Sequence, residues 1–274
     1  MYKLIACTNR VALIEEKWAT NVNNSKTISL VLIPGFMLDE ILWDGFCPFL
    51  PNHWKVSRAT LAGGDTIKEI AQNSAEQSPE RFILIGFSLG GYVARQLAAD
   101  YPERVSALVL IASSLREDTE QHAKAKLEAV RALSTSTFSG LSSRSIEASL
   151  HPRHASDTHL ISRIRAMGSR LGYEAFATQS GLRRADIPTD SIHCPTLIIS
   201  STHDALRPME ETNELANAMP AASVHLFHES GHMIPLEQPQ DLAAVVIDWL
   251  NSIGIYRFSG SNLSLIESMC HPLS

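Results

Sequence analysis

The residues best suited to chemistry in this sequence form a short turn in which Ser88 stands between Gly86 and Gly90. An apolar run at residues 82–85 leads into this turn, and a helical pattern follows it directly. A sharp strand-to-helix turn crowds the side chains two residues before and after the serine, and glycine at both positions removes the collision. The pattern therefore predicts a nucleophilic serine. An ordinary turn with Ser88 as a helix N-cap is the alternative interpretation.

The elements that must position this serine follow from the hydrophobic pattern. Short apolar runs alternate with helix-like segments, which predicts βαβ units and an open parallel sheet covered on both faces. Residues 3–16 are compatible with an antiparallel hairpin at the sheet edge. We predict strands at residues 28–33, 82–85, 107–111, 196–200 and 224–227, a weaker one near Val56, and helices at 39–50, 66–77, 89–101, 209–218 and 238–250.

The segment around the serine has a recognisable form. It reads GFSLGGYVA from Gly86 to Ala94 and is followed by YPERV at 101–105 and an apolar strand. This segment resembles the nucleophile elbow of α/β-hydrolase-fold enzymes, and the similarity extends over residues 28–250. The resemblance implies an α/β fold with a mostly parallel eight-stranded sheet flanked by helices. It also implies a catalytic triad in the chain order serine, aspartate, histidine.

A serine hydroxyl needs a base to accept its proton and an acid to orient that base. Asp204 follows the apolar run at 196–200 and is similar in position to the family's acid, although a turn aspartate is the alternative interpretation. His232 follows the last predicted strand in a segment that resembles the family's histidine loop. We predict His232 as the base, with His228 and His203 as less suitable rivals.

The same resemblance predicts two backbone donors for an oxyanion hole. One is the N–H of Leu89, the residue after the nucleophile. The other is the N–H of Phe36, in the loop after the first predicted strand. Many relatives have a histidine and a glycine there, whereas this chain has Pro34 and Gly35. A plain strand-to-helix turn is the alternative interpretation of this loop.

The domain organisation follows from where the alternation stops. We interpret residues 1–274 as a single α/β-hydrolase domain. Residues 115–188 contain no convincing buried strand and predict a helical cap inserted between two core strands; we call this segment the insertion. Residues 251–274 form a serine-rich C-terminal extension without an assigned role.

Several groups of side chains in the sequence suggest binding sites. Three histidines and an aspartate between His151 and His159 suggest a metal, but Pro152 interrupts any helix that would hold them, so we expect a solvated surface. Arg183 and Arg184 are expected to be a solvated pair, unless the cap folds so that they meet a substrate carboxylate. Widely spaced cysteines predict reduced, mostly buried thiols: Cys7, Cys47, Cys194 and Cys270.

A serine at the elbow suits acyl-enzyme chemistry. We expect hydrolysis of a small carboxylic ester, thioester or lactone, with no cofactor and no metal. The alternatives are a C–C bond hydrolase or acyltransferase on the same triad, and a non-catalytic receptor-like relative.

Composition limits the partners of this chain. Hydrophobic residues make up 45% of the sequence, which predicts a sizeable core, and the net charge of −6 disfavours nucleic acid. No stretch approaches the roughly 20 apolar residues of a spanning helix, and the N-terminal apolar stretch is too short for a signal peptide. We expect a cytoplasmic protein without a membrane span, whose partner is a small acyl substrate. The sequence indicates no oligomeric state.

Overall fold

The computed structural model describes residues 27–219 and 221–256. The hairpin predicted at residues 3–16, Cys7, Cys270 and most of the predicted extension lie outside them. Cys47 and Cys194 are free thiols and half-buried.

The described residues form one parallel sheet of six strands. From edge to edge the order is β2-β1-β3-β4-β5-β6, and each neighbouring pair is parallel. All the predicted strands are present, including the weak one near Val56, while the predicted count of eight is not confirmed. The strands are β1 (Ser29–Ile33), β2 (Lys55–Arg58), β3 (Phe82–Phe87), β4 (Val105–Ile111), β5 (Thr196–Ser201) and β6 (Ser223–Phe227).

Both faces of the sheet are covered, as the apolar runs predict. Successive residues of β1 alternate between two clusters, with Leu30 and Leu32 packed in one and Val31 and Ile33 in the other. The prediction of a buried strand at residues 224–227 is wrong about burial, because β6 lies at the edge of the described sheet and exposes Val224.

The helices that flank the core follow the predictions closely. The exception is the segment 39–50, which forms two short 3₁₀ helices, Glu40–Asp44 and Cys47–Phe49, and not one α-helix. Pro48 has no N–H with which to extend a helix across this segment. The core α-helices are α1 (Ile67–Glu76), α2 (Leu89–Asp100), α6 (Met209–Ala218), α7 (Ile234–Glu237) and α8 (Pro239–Ser252).

The insertion is helical. It contains α3 (Glu120–Ala132), α4 (Ser143–Glu147) and α5 (Thr158–Gly181), and no strand lies between β4 and β5. Helix α5 packs against both α3 and α4 and is interrupted at Gly172, where φ is +80°. Across residues 27–219 and 221–256, no helix combines the length and apolar character needed to cross a membrane.

Candidate active site

Ser88 occupies a strained turn at the carboxyl end of β3. Its φ of 50° and ψ of −113° are rare for a residue with a side chain, and its N–H donates to the carbonyl of Ile111 at 2.8 Å. A Cβ on Gly86 would lie 2.5 Å from the carbonyl oxygen of Gly90, and one on Gly90 would lie 2.3 Å from that of Pro34. The steric reason for glycine at both positions, predicted from spacing, therefore holds in three dimensions.

Three predicted side chains meet beside this turn. The Nε2 atom of His232 lies 2.9 Å from the Oγ of Ser88, and its Nδ1 atom lies 2.7 Å from Oδ2 of Asp204. Asp204 and His232 are buried, whereas Ser88 is half-buried. The chain of hydrogen bonds thus runs from a buried carboxylate to a hydroxyl that a ligand can reach.

Asp204 is held by backbone groups as well as by the histidine. Its Oδ1 atom accepts hydrogen bonds from the N–H groups of Leu206 and Arg207, each at 2.9 Å. These bonds leave Oδ2 free to face His232. The two rival histidines are both exposed. The imidazole of His203 hydrogen-bonds the neighbouring Thr202 and lies against His151, and neither His203 nor His228 makes a hydrogen bond to Ser88 among the described residues.

The loop that carries His232 is anchored by Glu237, a residue to which the sequence analysis assigned no role. One carboxylate oxygen of Glu237 accepts from the N–H of Gly231 at 2.8 Å, and the other accepts from the N–H of His151 at 2.7 Å. A Cβ on Gly231 would lie 2.5 Å from the backbone nitrogen of His151. Glycine before the histidine therefore allows the insertion to approach the loop closely. The signal that could have revealed this role is the glutamate of the sequence Glu237-Gln238-Pro239, which follows the predicted histidine closely.

The loop with the predicted oxyanion donor lies against the serine. A Cβ on Gly35 would be 3.3 Å from the Cβ of Ser88. The N–H groups of Phe36 and Leu89 make no hydrogen bond to any group in the described part of the chain. The next residue, Met37, has a φ of 54°, and its N–H donates to Oε1 of the buried Gln179 at 2.8 Å. Gln179 belongs to α5, and no short-range pattern could have revealed this contact.

A cavity of about 690 Å³ opens onto Ser88 and His232. Its walls are mostly apolar, and the insertion supplies most of them, including residues of α3 and α4. Phe36 and Phe176 face each other across 6.0 Å between ring centroids. The site therefore combines an accessible hydroxyl with an enclosure suited to a small, largely apolar molecule.

The histidine cluster and the arginine pair that the sequence suggested as binding sites have different surroundings in the structure. No group of three or more metal-ligating side chains occurs among the described residues, and His154 lies 3.0 Å from the buried carboxylate of Glu237. Arg183 is exposed as expected, but the expectation of a solvated Arg184 is wrong. Its side chain is 5% exposed, because it pairs with Asp118 at 2.9 Å and packs over the ring of the buried Tyr92, 5.5 Å from the ring centroid.

Comparison with known proteins agrees with this geometry. Residues 65–239 match the family model of the α/β hydrolase fold. The pimeloyl-(acyl-carrier protein) methyl ester esterase of Aromatoleum aromaticum is 28% identical over 80% of this chain and 96% of its own. Pyrrolizixenacetamide deacetylase of Xenorhabdus hominickii is 29% identical over 84% of this chain and 93% of its own.

Solved structures share the fold at lower identity. A thermophilic esterase from Thermogutta terrifontis superposes with a TM-score of 0.71 at 23% identity, covering 84% of this chain and 91% of that one. The enol-lactonase from Burkholderia xenovorans also gives 0.71, at 19% identity, covering 82% of this chain and 92% of that one. The chain therefore belongs to the α/β-hydrolase fold family and is an esterase-like hydrolase.

Proposed function

We propose that this protein hydrolyses a small carboxylic ester, thioester or lactone through an acyl-enzyme on Ser88. The observation that carries the proposal is the continuous hydrogen-bonded series Ser88–His232–Asp204 at the wall of an apolar cavity. The esterase names of the relatives support the same reaction class. The receptor-like alternative explains neither the aligned base nor the accessible hydroxyl.

The first half of the reaction forms the acyl-enzyme. The Oγ atom of Ser88 attacks the ester carbonyl carbon while its proton passes to Nε2 of His232, 2.9 Å away. Asp204 holds the Nδ1–H tautomer and stabilises the imidazolium that forms. When the tetrahedral intermediate collapses, the carbon–oxygen bond to the leaving group breaks, and His232 returns the proton to the departing alcohol.

The second half restores the enzyme. His232 takes a proton from water as the water oxygen attacks the acyl carbon. Collapse then breaks the bond between that carbon and Oγ of Ser88, which regains the proton from His232. Water and ester are consumed, and one acid and one alcohol are released, with no redox change.

The negative oxygen of each tetrahedral intermediate needs donors that are already oriented. We assign this role to the N–H groups of Phe36 and Leu89, which are unpaired within the described residues. Leu89 also begins α2, so the helix N-terminus adds favourable potential at the same place. The insertion, residues 115–188, serves in this proposal as the cap that encloses the acyl group.

A fluorophosphonate probe tests the proposal directly, since it reacts covalently with an activated serine. Incubation should attach one equivalent, which peptide mass spectrometry should map to Ser88, and a p-nitrophenyl butyrate assay should lose activity in parallel. The cavity also contains the serines Ser142, Ser145 and Ser180, which serve as internal controls and should remain unlabelled. Label on those serines, or no label on Ser88 together with no turnover of p-nitrophenyl acetate and butyrate, would refute the proposal. Thioester and vinylogous diketone substrates then separate ester hydrolysis from C–C cleavage.

Gln179 provides a second test, because its side chain holds the residue after Phe36. In Gln179→Leu the buried N–H of Met37 loses its acceptor, which should cost about 1–3 kcal/mol of unfolding free energy. Displacement of the Phe36 N–H should in addition lower kcat about tenfold to a hundredfold with KM little changed. Urea unfolding and p-nitrophenyl butyrate kinetics measure the two effects.

The matched control is Gln96→Leu, which removes another nearly buried glutamine whose amide bonds Asp100, away from the cavity. That variant should retain its kcat. If Gln179→Leu lowers stability but leaves kcat unchanged, Gln179 is a structural residue and does not position the oxyanion donor.

A further inference from the structure

The cavity that opens onto Ser88 is lined by positively charged side chains and by no carboxylate. Its charged side chains are Lys126 from α3 and Arg144 from α4, and no aspartate or glutamate is among its lining residues. Arg144 is exposed and makes no ion pair with any described residue. The whole chain carries a net charge of −6, so a positive cavity is opposite in sign to the protein that surrounds it.

Lys126 forms an ion pair with Asp118, and Asp118 also pairs with Arg184. Its Nζ atom lies 2.6 Å from Oδ2 of Asp118, and the other oxygen of Asp118 lies 2.9 Å from Nη1 of Arg184. Arg184 is buried behind the pair and does not line the cavity. The three groups together carry one excess positive charge, and Lys126 is the member that reaches the cavity wall.

Lys126 lies near one of the residues to which we assign an oxyanion donor. Its Nζ atom lies 5.9 Å from the centroid of the Phe36 ring, and Phe36 is the proposed oxyanion donor. Lys126 and Ser88 line the same cavity, so an ester bound at Ser88 can direct a second group toward the cation. The remaining walls near it are apolar, so an ion pair there is less screened than one at the surface.

Burial and neighbouring charges shift the pKa values of Lys126 and Asp118. Burial, and then the charge of Arg184, lower the pKa of Lys126, although Asp118 acts in the opposite direction. Burial works to raise the pKa of Asp118, but the hydrogen bond from Lys126 and the charge of Arg184 outweigh it and leave that pKa lowered. A second anion beside Lys126 would stabilise its ammonium form.

We propose, building on the esterase function above, that the preferred substrate is an ester that also carries a carboxylate, which pairs with Lys126. A singly charged carboxylate matches the single excess charge of the cluster. Arg144, at the exposed side of the cavity, adds long-range attraction for the same anion.

The experiment compares an anionic and a neutral methyl ester with the same six-carbon acyl chain, monomethyl adipate and methyl hexanoate, with methanol release as the readout. Monomethyl succinate and monomethyl glutarate vary the distance between the two groups. The wild type should have the higher kcat/KM on the anionic ester. In Lys126→Gln this preference should fall about tenfold to a hundredfold, with the neutral ester little affected. Lys126→Arg, which keeps the charge, should retain the preference, and added salt should weaken it.

The matched control is Lys124→Gln, on the same helix, where the lysine side chain is 77% exposed and pairs with Glu128 at 4.0 Å. That variant should keep the wild-type preference, and Arg144→Gln should reduce it by less than about fivefold because the guanidinium is exposed. Equal losses on both esters in Lys126→Gln, or a wild type that favours the neutral ester, would overturn the carboxylate proposal alone. A wild type that hydrolyses neither ester would instead argue against the esterase function itself.

Discussion

Replacing Ser88 with alanine should lower kcat for p-nitrophenyl butyrate by about a million-fold, because the acyl-enzyme can no longer form. The variant should fold normally. Alanine keeps the Cβ of the turn, and the N–H of Ser88 still donates to the carbonyl of Ile111. Among the described residues, the only hydrogen bond removed is the one from Oγ to His232. Kinetics on purified protein, with thermal unfolding as the folding check, measure both expectations.

Ser180→Ala is the matched control for this prediction. Ser180 lines the same cavity, and its Oγ is buried without a hydrogen-bond partner among the described residues. Its removal should change kcat by less than about threefold, since it costs no interaction. More than about one per cent residual activity in Ser88→Ala would exclude Ser88 as the nucleophile, since that loss is only a hundredfold against the million-fold expected.

Asp204→Asn should lower kcat about ten-thousand-fold while leaving the fold intact. The N–H groups of Leu206 and Arg207 both donate to Oδ1, so the asparagine carbonyl oxygen must take that position. The amide nitrogen is then forced to face Nδ1 of His232, where the wild type has an acceptor. Histidine responds by carrying its proton on Nε2, and this tautomer cannot accept the proton of Ser88.

Asp190→Asn makes the same chemical change at an exposed position whose only side-chain bond is to the adjacent Thr189. Its kcat should match the wild type within experimental error. A loss of less than about tenfold in Asp204→Asn would mean that His232 obtains its tautomer without Asp204. The fluorophosphonate labelling rate provides an independent readout, and it should fall in proportion to kcat.

Local features were predictable because neighbouring residues determine them. The turn around Ser88 depends on two glycines within two residues of the serine, and its strand and helix neighbours follow from an apolar run and a helical pattern. Helix α1 begins within one residue of its predicted start, where Thr66 and Glu69 form a reciprocal capping box. The one helix predicted in error, at residues 39–50, contains a proline that was already visible in the sequence.

The meeting of distant residues was predictable only through the resemblance. Ser88, Asp204 and His232 each follow a different strand, β3, β5 and β6. Parallel strands bring their carboxyl ends to one edge of the sheet, which is why residues 144 positions apart lie within hydrogen-bond distance. The resemblance favoured His232 over His203 and His228, and the contacts give the physical reason, since neither rival bonds to the serine.

The sequence by itself determined the local conformation at Ser88, since glycines at positions 86 and 90 after an apolar run allow the strained strand-to-helix turn. Only the tertiary structure decided which cations line the cavity at Ser88. Arg184 looked like a surface residue, yet it is buried against Asp118, 66 residues earlier in the chain. That pairing, and therefore the charge left on Lys126, depends on how the two ends of the insertion come together. No periodicity or short motif encodes such long-range packing, because it arises from contacts between elements and not within them.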